Sequence, residues 1–225
     1  MSTAELNDLL QSLGVSLALA LVTTVILLLL TPPLAWWLAR SSSRLRAPVE
    51  ALVALPMVLP PTVLGFYLLL AMAGEGFLGE AWHGLTAKPL AFTFSGLVIG
   101  SVIYSLPFVS QPLAASFRTT SDTLLEAAAV LGDSPVRRFL RLVLPLHRRA
   151  LVAAGVLGFA HTLGEFGIVL MIGGNIPGET RVLSILLFDQ VESLNYAAAH
   201  ITALLLLGFS LLALTVTYST LSRRP

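Results

Sequence analysis

Five separated runs of about 20 mostly apolar residues dominate this sequence, and each is long enough to cross the hydrocarbon core of a bilayer as a helix. They cover Leu13 to Leu38, Val49 to Ala73, Leu90 to Gln111, Ala150 to Ile172, and Ala197 to Tyr218. Such a chain has little choice of architecture. In lipid every backbone N–H and C=O must be satisfied internally, so the runs are expected to be helices. Composition agrees, since 56% of residues are hydrophobic and only 11% charged, against about a quarter charged in soluble domains. The expectation is an all-α polytopic membrane protein with one membrane domain over residues 1–225, because no repeat or low-complexity linker divides it. Met1 to Gln11 contains Glu5 and Asp8 but no Lys or Arg, unlike the positive start of a signal peptide, so the first run is read as a retained span.

Charge placement orients the chain. Arg40, Arg44 and Arg46 follow the first run, and Arg118, Arg137, Arg138, Arg141, Arg148 and Arg149 lie between the third and fourth. Arg223 and Arg224 follow the fifth, so 11 of the 13 basic residues sit in three regions. With an odd number of spans all three fall on one side, which the positive-inside rule makes the cytoplasm. The N-terminus is then outside and the C-terminus inside. Lys88 and Arg181 fall outside with Glu75, Glu80, Glu179, Asp189 and Glu192. Trp36 and Trp37 read as interfacial anchors.

The 119–149 loop carries the densest local signals. Ser121 or Asp122 is placed to cap a helix, and Thr123 with Glu126 has the capping-box form. Leu124, Leu125, Ala128 and Leu131 follow at helical spacing, then Gly132, suited to a left-handed helix end. Ser134-Pro135 restarts a helix whose apolar positions are Val136, Phe139, Leu140 and Val143, and Pro145 is expected to end it. Two helices this short need a surface to pack against. Their own membrane helices or anionic headgroups are one such surface, and a soluble cytoplasmic partner is another. Nucleic acid fits poorly, because the element is short and tethered to spans at both ends.

Within the spans, Pro56, Pro60 and Pro61 break the second run. The freed carbonyls must be covered by protein or by a water-filled cavity, so the segment is a kinked structural helix, the bent wall of a pathway, or both. Glu165 is costly at a helix centre and should face protein or water. His161, one turn earlier, is placed to pair with it. This pair reads as a gate or as a packing element assisted by Gly158, Gly164 and Gly167. No Lys or Arg lies in any run, so a fixed basic site for an anion is not expected.

Chemistry in the chain itself is not expected either. There is no cysteine, hence no thiolate nucleophile or metal site, and no Gly-x-x-x-x-Gly-Lys-Ser/Thr loop for a nucleotide. His83, His147, His161 and His200 are scattered over different segments, which speaks against an intramembrane enzyme, and the few membrane carboxylates speak against a proton-coupled carrier. No cofactor or metal is implied.

Glu126-Ala127-Ala128, Gly132 six residues after Glu126, and Leu142-Val143-Leu144-Pro145 resemble the EAA loop of ABC importer permeases. That pattern is Glu-Ala-Ala, three residues, Gly, nine residues, Ile-x-Leu-Pro, and only Leu142 departs from it. The resemblance implies that Glu126, Ala127, Ala128, Gly132, Leu144 and Pro145 couple the chain to a separate ATP-hydrolysing subunit, the first short helix entering a groove of that subunit. Leu55 to Tyr67, which contains Pro60-Pro61-Thr62-Val63-Leu64-Gly65, is similar to the second-helix signature of molybdate importer permeases. Leu163-Gly164-Glu165-Phe166-Gly167 and Asn175-Ile176-Pro177-Gly178-Glu179-Thr180 are similar to their fourth helix and external loop. The related sulfate permeases share Leu-Gly-Glu-Phe-Gly, so sulfate and tungstate are the alternative cargoes. The resemblance further implies a homodimer in the bacterial cytoplasmic membrane, two ATPase copies, and an external molybdate-binding protein that supplies selectivity. Pro60, Pro61, His161 and Glu165 are then expected to be gate or packing residues.

Overall fold

The computed structural model describes residues 2–222, with side chains through residue 220, and these residues contain helices and no strand. Arg223 and Arg224 of the basic pattern lie outside the described residues.

The first run is helix α1, Thr3–Arg40. It starts earlier than hydropathy alone predicts because Ser2 and Glu5 form a capping box: the Glu5 amide donates to Ser2 Oγ at 3.2 Å and the Ser2 amide to Glu5 Oε2 at 2.6 Å. At 1.5 Å per residue α1 is about 57 Å long, well beyond the thickness of a bilayer core. Pro32 and Pro33 lie inside α1 and do not end it.

The second run is not one helix. α2 (Arg46–Val58) and α3 (Pro61–Met72) meet at 111°. Pro60 has extended geometry (φ −54°, ψ 134°), and Pro61 takes the first position of α3, where its missing N–H costs nothing. A short helix, α4 (Phe77–Thr86), is not evident from hydropathy and leads to α5 (Phe94–Arg118). The third run expected over 90–111 is displaced towards its C-terminus, because the Thr93 hydroxyl caps the helix by accepting from Gly96 N at 3.2 Å.

After the loop comes α9 (Arg148–Leu163), which breaks at Gly164–Phe166 before α10 (Gly167–Gly173). The apolar run expected as one helix over 150–172 is therefore two. Of the glycines expected to aid packing there, Gly158 and Gly167 sit at close contacts, whereas Gly164 is the C-cap of α9. A buried ten-residue helix, α11 (Leu183–Glu192), precedes α12 (Tyr196–Ser222). α11 is too short to span a bilayer, and its Leu183, Ile185 and Leu186 are in the core. Among the described residues three helices are long and apolar enough to cross a membrane, or up to five spans if bent pairs count as one.

Two apolar clusters form the core. One joins Leu19, Leu68, Met72, Leu97, Ile168, Ile172 and Ile185 from α1, α3, α5, α10 and α11. The other joins Leu27, Leu38, Val109, Leu113, Phe117, Val143 and Ala154 from α1, α5, α9 and the loop. α1 and α5 run through both regions, and the large apolar side chains left outside, such as Leu21, Val25, Leu29, Leu207 and Leu211, suit lipid as solvent.

Candidate functional site: the hinged loop and two facing helix breaks

The loop folds as α6 (Asp122–Val130), α7 (Pro135–Arg138), a π-helical turn over Phe139–Val143, and α8 (Leu144–Leu146). Ser121 is the N-cap of α6, though its side chain makes no capping bond, and Thr123 lies within the helix rather than at the cap position that the expected capping box requires. Asp122 pairs instead with Arg40, at the end of α1, and Arg40 also donates to the Thr120 carbonyl at 3.3 Å. At the other end of α6 the Asp133 amide donates to the Ala128 carbonyl and the Gly132 amide to the Ala129 carbonyl, both at 3.0 Å. That pairing is the Schellman arrangement, with Gly132 at φ +90°.

α7 begins as expected, its Arg137 amide donating to Ser134 Oγ at 3.3 Å. Pro145 does not end this second helix. The helix widens into the π turn, with the Leu144 amide reaching back to the Phe139 carbonyl, and continues past Pro145 to Leu146. A proline cannot donate to the preceding turn, and one residue of underwinding is how the helix runs through.

No residue of α6 is buried. Leu131 is 86% exposed, Val130 88% and Val136 67%. Of the apolar stripe only Leu125 packs against the core, and Arg138 Nη1 holds α6 by donating to the Leu125 carbonyl at 3.2 Å. Glu126 and Ala127 point outward, while Ala128 and Leu144 are half-buried. Beneath the loop, Trp36, Phe117 and Phe139 form an aromatic base, their ring centroids 5.8–6.3 Å apart. Trp36, expected as a lipid anchor, is thus part of the support of the loop.

The two helix breaks face one another. A Cβ added to Gly167, at the start of α10, would lie 2.8 Å from Pro61 Cβ. One added to Gly65, in α3, would lie 2.8 Å from Met171 Cβ. Only glycine permits this approach of α3 and α10. Pro60, Pro61 and the Glu165 break therefore belong to one region, which sequence separation hid.

His161 and Glu165 do not pair. α9 ends at Leu163, so the one-turn spacing no longer puts them on a common face. His161 bonds through Nδ1 to Ser105 Oγ at 2.9 Å and stacks on Phe108 at 3.6 Å. Ser105 Oγ also lies 3.0 Å from Thr162 Oγ1. Glu165 is 4% exposed, and its carboxyl group lies against the buried Ser101 hydroxyl. Its main-chain carbonyl accepts from Ser184 Oγ at 2.5 Å, tying the break to α11.

The 175–181 segment is built on two residues the sequence did not single out as structural. Thr180, fully buried, donates to the Gly173 carbonyl at 2.6 Å and accepts from the Ile176 amide at 3.0 Å. Arg181 Nε donates to Asn175 Oδ1 at 2.6 Å and lies within 4.0 Å of Asp8 and Asp189.

Residues 31–223 match the model for the binding-protein-dependent transport system inner membrane component. The chain belongs to that family. It is 50% identical over 215 residues to the molybdenum transport system permease protein ModB of Azotobacter vinelandii, covering 96% of this chain and 94% of that one. It is 33% identical to ModB of Haemophilus influenzae, over 82% and 80% of the two chains. Identity to the sulfate transport system permease protein CysT of Escherichia coli is 34%, over 89% and 72%. A bacterial ABC transporter that imports the acidic polysaccharide alginate has the same fold, with TM-score 0.74 at 16% identity over 98% of this chain and 78% of that one. These relatives are permease subunits rather than enzymes, so this all-α membrane chain is a permease of the ABC importer type.

Proposed function

We propose that this chain is the membrane subunit of an ATP-driven molybdate importer. Identity supports molybdate over sulfate: 50% to ModB of Azotobacter vinelandii against 34% to CysT of Escherichia coli. Two copies enclose the pathway in the bacterial cytoplasmic membrane, N-terminus outside. An external binding protein delivers the anion, and two copies of a separate ATPase subunit drive the cycle. The solved complex of the alginate transporter with its periplasmic protein supports the external partner.

The observation that carries this reading is the exposure of α6. A helix with no buried residue, held by an ion pair at one end and a Schellman turn at the other, is finished only by a partner surface. Glu126, Ala127, Ala128 and Gly132 form the inserted part, with small side chains for close approach and Glu126 exposed for a basic residue of the ATPase. Leu144 and Pro145 close the loop onto α9. Pro60, Pro61, His161 and Glu165 line or brace the gate where the helix breaks meet. A dianion passes this region without a fixed basic ligand, so selectivity rests with the binding protein.

The test is molybdate uptake in cells lacking the chain, complemented with wild type or Gly132→Pro. Proline cannot adopt φ +90° and has no amide for the Ala129 carbonyl. Uptake restored by wild type and abolished by Gly132→Pro is the expected result, whereas normal uptake by the variant sinks the docking claim. Inhibition of uptake by excess sulfate as effective as by molybdate overturns the cargo assignment.

A further inference from the structure

His147 sits where the loop rejoins the membrane domain, between α8 and α9, and is 8% exposed. Both its ring nitrogens are engaged, and both by the other end of the loop. Nδ1 lies 2.7 Å from Ser116 Oγ and Nε2 lies 2.8 Å from Thr120 Oγ1. Ser116 is in the last turn of α5, and Thr120 directly precedes Ser121, the N-cap of α6. The edge of Phe117 fills the remaining side, with ring centroids 5.3 Å apart. A neutral imidazole has one donor and one acceptor nitrogen, and two hydroxyls complement either tautomer. One side chain thus closes a loop of more than two dozen residues at its neck.

We propose that His147 is the pin through which displacement of α6 is passed to α9, and so to the helix break at Gly164–Phe166. This rests on the proposed coupling of the loop to an ATPase. α6 has few other attachments, namely Arg40 on Asp122, Arg138 on the Leu125 carbonyl and the half-buried Leu125 itself. The base of α9 is hydrogen-bonded through the pin residue, since the Leu151 amide donates to the His147 carbonyl and the His147 amide to that of Val143, each at 3.0 Å. α9 then runs as an unbroken rod of 16 residues, about 24 Å, to the break that packs on Pro61. With the pin in place, α5, the start of α6 and the base of α9 move together. Without it, α6 follows the ATPase while α9 stays behind. His147 touches no cargo and no nucleotide, so it is a positioning residue.

The experiment uses the full complex in proteoliposomes, permease with its ATPase and molybdate-loaded binding protein, and reads ATP hydrolysed per molybdate moved. His147→Ala removes two buried hydrogen bonds, and the ATP cost per molybdate is expected to rise about tenfold. Thr120→Val and Ser116→Ala are expected to raise it in the same direction. Adding Thr120→Val to His147→Ala should change nothing further, since the two act through one contact. A purely structural defect would lower hydrolysis and transport together and leave the ratio unmoved. An unchanged ratio in assembled His147→Ala complexes, or fully additive effects, overturns the pin. Should His147→Ala fail to assemble, Thr120→Val and Ser116→Ala decide alone: wild-type ratios in both overturn the proposal, and a raised ratio supports it. Failure of the wild-type complex to move molybdate with ATP would strike the proposed function instead.

Discussion

Gly132 has nothing within 4 Å of the position its Cβ would occupy, so space does not demand glycine there. The backbone does, at φ +90°. Gly132→Ala is therefore expected to keep every contact while carrying strain of about 1–2 kcal/mol at a left-handed position, and to slow uptake without abolishing it, unlike Gly132→Pro. Transport rates of the two variants at equal membrane abundance check this ordering. At His147, burial holds the imidazole below its ordinary 6.5. The unfolded chain thus binds more protons in the window below 6.5, and stability there rises with pH. Its contribution is complete above 6.5 and is lost as pH falls from 6.5 through the depressed value. Lower amide protection factors at the base of α9 are expected as pH drops below 6.5, and His147→Asn should flatten that dependence.

Among the helices, the informative feature is a pair of breaks in contact. Gly167→Val would drive a branched side chain into Pro61, whose Cβ is already 2.8 Å from the modest Cβ position. Overpacking of this kind costs typically 1–3 kcal/mol. Because α3 and α10 have no slack where Gly65 meets Met171, the helices must separate. The expected outcome is a correctly inserted chain with uptake reduced more than thermal stability. Near-normal uptake with a large drop in melting temperature would show that the contact is only structural. Much of this was out of reach of hydropathy. Pro60-Pro61 announced a break in the second run, but an apolar period cannot report a 111° bend. The Gly164–Phe166 break has no proline to announce it. The Pro145 expectation failed for a related reason: a π turn absorbs the missing donor, and the helix continues.

For the molecule as a whole, the charge pattern makes a directional prediction. Arg40, Arg118 and the loop arginines face one end of the bundle, and Asp8, Asn175, Arg181 and Asp189 form a linked group at the other. The chain has no cysteine, so a single cysteine placed at Glu179 or at Leu131 is the only thiol available to a membrane-impermeant reagent. Intact cells are expected to label the first and spare the second, with Leu131 reacting only after lysis. Labelling of Leu131→Cys in intact cells would reverse the orientation.

The apolar runs, the charge asymmetry and the turn at Gly132 were legible in the order of residues because hydropathy, capping and turn chemistry act over a few neighbours. The family pattern from Glu126 to Pro145 was legible for the same reason, being a local spacing. What only tertiary structure decided involves residues far apart in the chain: the contact of Gly167 with Pro61, the pairing of Arg40 with Asp122, the turning of His161 to Ser105 rather than Glu165, and the clasp of His147 on Ser116 and Thr120. Each depends on how separate helices pack, and a hydrogen bond or a close approach selects its partner by geometry that no local pattern encodes.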